Sequence, residues 1–236
     1  MTRFLFPALL LATLACAAPR DPAYPEPVQV RFGNLYWVGA KTLLPRVVNG
    51  QVLAPPVEAC DLLGLTCELN NENLKATRQV EPFTEQTFPV SRLYDEHLRM
   101  TPLAPLAKFA GQSVSWDGRN KLAVVSGGTG SLGWRYAFPS PATAQANTYL
   151  GPLRASQTRP NTGQPDVGQI VFAEAPLKNV TFYSKVTGGL RMTGEFTPST
   201  PDNPNRGEPC NRENPKVCEL PVPRDALWTL AYLSKP

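Results

Sequence analysis

The chain has 236 residues, of which 42% are hydrophobic, 18% charged and 26 are proline, with a net charge of +4. Mild basicity without a Lys/Arg run excludes a nucleic-acid footprint, which needs clustered cations against a phosphate ladder. Proline at about twice its usual frequency excludes long helices and long central strands, so short elements with long loops are expected.

Residues 1–15 read as a signal peptide: Met1-Thr2-Arg3 is basic, Phe4 to Leu14 is almost wholly apolar, and small residues close the run. The apolar stretch is about eleven residues, too short to cross a bilayer that needs about twenty. Leu14-Ala15-Cys16 at its end resembles the cleavage motif of bacterial lipoproteins, although Thr13 stands where that family usually has leucine. The resemblance covers these first residues only. It implies a lipid on Cys16, a membrane as partner, and a place in the cell envelope, at the outer membrane or cell surface. Ala17 after the cysteine, in place of Asp, resembles cargo sent on to the outer membrane. Ala15-Cys16-Ala17 also suits ordinary signal peptidase, and that route gives a soluble secreted or periplasmic protein. Residues 16–27 read as lipid anchor and tether: after Cys16, residues 17–27 hold four prolines and favour an extended spacer of roughly 34 Å at about 3.1 Å per residue. Residues 28–236 remain as a single β-rich domain.

In that domain, Val28 to Phe32 and Leu35 to Val38 flank a Gly-Asn turn, and Val47-Val48 and Val52-Leu53 flank Asn49-Gly50. Both predict hairpins. Cys60 to Cys67 and the Asn-rich residues 70–73 read as loop or a single helical turn. Ser91 to Met100 predicts a short helix, with Leu93, His97 and Met100 on one face. Ser113–Trp116 and Lys121–Val125 predict a hairpin turning at Asp117-Gly118, and Trp134–Phe138 a further strand. Residues 139–168 read as irregular, with one strand at Thr148–Leu150, followed by a strand at Ile170–Ala173. Val180 to Phe196 alternates around Gly188-Gly189 and predicts a half-buried hairpin. Residues 197–225 read as a Pro/Asn-rich excursion, and Leu227–Leu233 as a central apolar strand. No internal repeat is evident. The pattern predicts an all-β fold, an antiparallel sandwich or barrel-like domain with at most one or two short helices.

Five cysteines are present, Cys16, Cys60, Cys67, Cys210 and Cys218. Setting Cys16 aside as the lipid acceptor leaves four, which allow three connectivities in an oxidising compartment. Their placement in two short segments favours Cys60–Cys67 and Cys210–Cys218. Neither pair has zinc-type spacing and His97 is the only histidine, so no metal or other cofactor is expected. Gly128-Thr129-Gly130-Ser131-Leu132-Gly133 has the spacing of a dinucleotide-binding loop. It is followed by β-prone residues and prolines, whereas pyrophosphate binding needs a helix start.

No catalytic constellation is visible. Glu174, Glu195, Asp117 and Asp95 are scattered carboxylates, and Asn179-Val180-Thr181 is a glycosylation sequon. Aromatic pairs (Tyr36-Trp37, Trp134 with Tyr136, Trp228 with Tyr232) read as core strands. The expectation is a lipid-anchored envelope domain with a non-catalytic binding or structural role toward an envelope protein or polysaccharide. The alternatives are an exported carboxylate-dependent hydrolase acting on polysaccharide and a β-barrel carrier of a small ligand.

Overall fold

The computed structural model describes residues 28–39, 45–70, 72–93, 98–127, 148–151, 153–159, 166–172, 179–196, 217–222 and 226–234. These residues form an all-β fold with two short helices. Its frame is a seven-stranded sheet in the order β10-β11-β1-β2-β17-β14-β15. The members are β1 (Gln29–Phe32), β2 (Leu35–Gly39), β10 (Ser113–Asp117), β11 (Leu122–Ser126), β14 (Asn179–Val186), β15 (Gly189–Phe196) and β17 (Trp228–Ser234). All neighbours are antiparallel except β1 and β11, whose parallel pairing needs the long crossover between them.

Both expected early hairpins form. Gly33 turns β1 into β2 at φ +58°, and Asn49-Gly50, at φ +50° and +77°, joins β3 (Arg46–Val48) to β4 (Gln51–Ala54). Two successive positive φ values give the turn whose twist matches the flanking strands. The apolar strand at the carboxyl end is central, as expected: β17 lies between β2 and β14, and all seven of its residues are buried.

β14 departs from the expected half-buried hairpin strand. Thr181 and Tyr183 are as buried as Val180 and Phe182. Both sheet faces are covered, so alternation in this strand separates two cores instead of core from water. On one face Val30, Phe32, Trp37, Val125, Tyr183, Leu230 and Tyr232 pack with residues of the helices and shorter strands. On the other, Tyr36, Val38, Val180, Phe182, Ala231 and Leu233 pack with Tyr149.

The segment between β2 and the end of β11 contains two copies of one design. The first is β3, β4, α1 (Pro56–Leu62), β5 (Leu65–Leu69) and β6 (Asn73–Arg78). The second is β8 (Ser91–Leu93), β9 (Leu98–Pro102), α2 (Leu103–Phe109), β10 and β11. Pro55 and Pro102 precede the helices, 47 positions apart. Gly64 and Gly111, also 47 apart, leave them at φ +75° and +77°. Both helices close with the same pair of carbonyls: Ala59 and Asp61 accept in the first, Leu106 and Lys108 in the second. β4 and β9 pair so that Ala54 faces Thr101, its own counterpart. The four-stranded sheet β3-β4-β9-β8 is therefore symmetric about that bridge. The repeat is invisible by inspection because Pro55/Pro102 and Gly64/Gly111 are the only identities between residues 54–70 and 101–117.

Several local expectations are corrected here. Ser91–Leu93 and Leu98–Met100 are strand and not helix: β8 and β9 pair, Leu93 against Leu98 and Ser91 against Met100, while residues 94–97 lie outside the described residues. Cys67 and Asn73 are in strands and not in a loop: β5 and β6 belong to a three-stranded sheet β5-β6-β7, completed by β7 (Glu85–Pro89). Leu103–Phe109 is a helix despite Pro105, which lies in the first turn where its missing N–H has no intrahelical partner to lose. The irregular stretches contain β12 (Leu153–Arg159), β13 (Asp166–Phe172) and β16 (Val217–Val222), which form a sheet of their own. Thr148 makes only an isolated bridge to Ser234, short of a strand. The expected strand at Trp134–Phe138 lies outside the described residues.

Candidate functional site

Of the cysteines singled out in the sequence, Cys60 and Cys67 are the pair brought together among the described residues. Cys60 sits on the buried side of α1, Cys67 follows the α1 turn on β5, and a disulfide joins them with Cα atoms 6.2 Å apart. The pair is thus not in a loop: it staples helix to strand. In the second copy the positions 47 residues later are Ala107 and Val114, one buried and one half-buried, both packed in the same core. The bond occupies an ordinary apolar helix–strand contact. Cys218 lies on β16, while Cys210 and Cys16 lie outside the described residues.

The four carboxylates are not gathered into a site by the described residues. Asp95 and Glu174 lie outside them, and Glu195 is on β15, opposite Thr181. Asp117 ends β10 and is bound locally: its carboxylate accepts from the Arg119 and Asn120 backbone N–H groups at 3.0 and 3.2 Å and from the Asn120 side chain at 2.7 Å. Those donors, the Asn120 side chain first, hold its carboxyl below the usual range. The hairpin consequently turns through a longer loop than Asp117-Gly118 alone, with Lys121 at φ +50°. Asn70 makes the matching turn in the first copy, accepting from Glu72 and Asn73 N–H at 3.1 and 2.7 Å.

The glycine run 128–133 and His97 lie outside the described residues. The sequon falls on β14, paired on both sides, and its Thr181 is fully buried with a hydroxyl that finds no partner. Among the described residues, no three His, Cys, Asp or Glu side chains converge to hold a metal ion. No described helix is long and apolar enough to cross a membrane.

The polar contacts that sequence reasoning missed are tertiary. The Trp228 indole N–H donates to Asp61 Oδ2 at 2.8 Å, tying the central strand to α1. The Tyr36 hydroxyl donates to the Gly151 carbonyl, with the Arg31 guanidinium 6.0 Å from the Tyr36 ring centre. Burial raises the Tyr36 hydroxyl well above the ordinary tyrosine range, so it stays a donor. Ser184 and Thr229 hydroxyls meet at 2.8 Å inside the sheet. The Trp228–Asp61, Tyr36–Gly151 and Ser184–Thr229 contacts each join residues far apart in sequence, so no local signal announces them. Among the described residues, the exposed aromatic side chains are Phe83, beyond β6, and Trp116, on β10.

No protein-family model, no curated protein and no solved structure matches the chain.

Proposed function

We propose that the chain is an exported cell-envelope module, tethered to a membrane by lipid on Cys16, with a binding or structural role toward an envelope protein or polysaccharide. The observation that carries export is the Cys60–Cys67 disulfide, a bond that persists in oxidising compartments and is rare in the cytosol. The basic and apolar leader, Cys16 at its end and the proline-rich tether supply the address and the anchor. A second disulfide, Cys210–Cys218, belongs to the same reading.

Asp117, one of the four carboxylates, gives the binding reading its support. Asp117 serves as a hydrogen-bond acceptor that orders a turn and is held ionised, the opposite of a general acid with a raised pKa. The anchor is tested by comparing wild-type protein with Cys16→Ala. Acyl mass on the wild type, lost in the variant together with membrane association, is expected; equal partitioning would remove the anchor from the proposal. Polysaccharide cleavage abolished by alanine at Asp95, Asp117, Glu174 or Glu195 would replace the binding role with a hydrolase.

A further inference from the structure

The geometry points to the edge of β10 that is unpaired among the described residues as a self-pairing surface, joining two copies of this chain by antiparallel addition of β10 to β10 about Ser115. Among the described residues, β10 is one end of the seven-stranded sheet. Sheet edges are pairing templates, and proteins blunt them with charges, prolines, bulges or short length. The other described edges carry such devices. β15 pairs across a bulge and holds Arg191 and Glu195; β12 also pairs across a bulge and holds Arg154 and Arg159. β16 contains Pro221, β7 contains Glu85 and Pro89, and β3 and β8 are three residues long with Arg46 and Arg92.

β10 reads Ser-Val-Ser-Trp-Asp and pairs with β11 in unbroken register. Its one charge, Asp117, is turned into the hairpin loop. The duplicated design provides an internal control. β5 is the counterpart of β10, and Glu68 stands where β10 has Ser115. The first copy guards the middle of its edge strand with a charge, and the second does not.

The same comparison explains Trp116. Its counterpart Leu69 is half-buried against the core, whereas Trp116 is 42% exposed on a strand whose Val114 packs into that core. Antiparallel pairing of two β10 strands centred on Ser115 places Trp116 of each copy opposite Val114 of the other, on the core-side face. Aromatic and β-branched residues directly opposite each other form a favourable cross-strand pair. On the other face Ser113 stands opposite Asp117 and Ser115 opposite Ser115, so no like charges are opposed. The interface is isologous and closes at two copies. A single added strand pair is a small contact, so the dimer is transient in solution and favoured where a membrane concentrates the chains.

The test uses the full chain carrying Cys16→Ser, free of lipid, in sedimentation velocity across a concentration series, beside S115K and S115E. Wild-type protein should show a reversible monomer–dimer equilibrium. Each variant alone should weaken it about two- to fivefold, because like charges then face each other at the axis. An equimolar mixture of the two should restore dimers as a heterodimer. Ser115 is exposed, so circular dichroism of the variants should match wild type. A monomeric wild type, a dimer indifferent to S115K, or a mixture that stays monomeric would each overturn the inference. None of these outcomes depends on the lipid anchor.

Discussion

Asp117 and Asn70 hold the same turn in the two copies with different chemistry, and that difference is measurable. The Asp117 carboxyl is depressed in the folded chain, so its contribution to the turn is present above the ordinary aspartate range. It is lost as pH falls through the lowered value. The Arg119 and Asn120 amide resonances are expected to titrate with a midpoint below that of an unperturbed aspartate. Asp117→Asn should leave those resonances flat with pH while keeping the hairpin, because Asn70 already accepts two backbone N–H groups through a neutral amide oxygen. At this scale the sequence is least informative. Thr181 reads as half of a sequon and turns out buried with an unpartnered hydroxyl, and Asp61 gives no hint of Trp228. Contacts of such long separation leave no mark on spacing or composition.

Among the elements, the two copies make a prediction about the disulfide. Ala107 and Val114 occupy its positions in the second copy and keep α2 against β10 without a covalent bond. Cys60→Ala with Cys67→Val is therefore expected to fold with the same circular dichroism. The cost should be no more than about 2.5 kcal/mol, the chain-entropy value for so small a ring, read from urea unfolding. The wild type under reductant should lose about as much. Hairpins with strong turn residues were legible: Asn49-Gly50 demands positive φ, and Val180–Phe196 alternates cleanly. Helices were not. Prolines serve as starters at Pro55, Pro56 and Pro105, where they read as breakers, and seven residues are too few to display a helical period. Ser91–Met100 shows the reverse error: Leu93 and Met100 lie on two paired strands, opposite Leu98 and Ser91, and their spacing of seven imitates one helix face.

For the molecule as a whole, β17 determines cooperativity. It is hydrogen-bonded to β2 on one side and β14 on the other, so the last strand in sequence closes the middle of the sheet. Leu230 is fully buried on it, opposite Trp37 and Tyr183. Leu230→Ala should cost about 2–5 kcal/mol in chemical denaturation. Tryptophan fluorescence and far-ultraviolet circular dichroism should lose signal in one shared transition. Fold class was readable because strand-length apolar runs between turn residues admit few other packings. Strand order was not, because the parallel neighbours β1 and β11 are separated by some ninety residues that carry a complete duplicated unit.

β1 begins at the point where the proline-rich stretch ends, and it is clasped at once by two neighbours, antiparallel β2 and parallel β11. Val28 N–H donates to the Pro45 carbonyl at 2.8 Å and Gln29 N–H to that of Lys121 at 3.1 Å. A mechanical load drawn through residue 28 along the strand would be borne in shear by both ladders together. The strand could not then peel away one rung at a time, so the chain enters its body at a place suited to resisting traction.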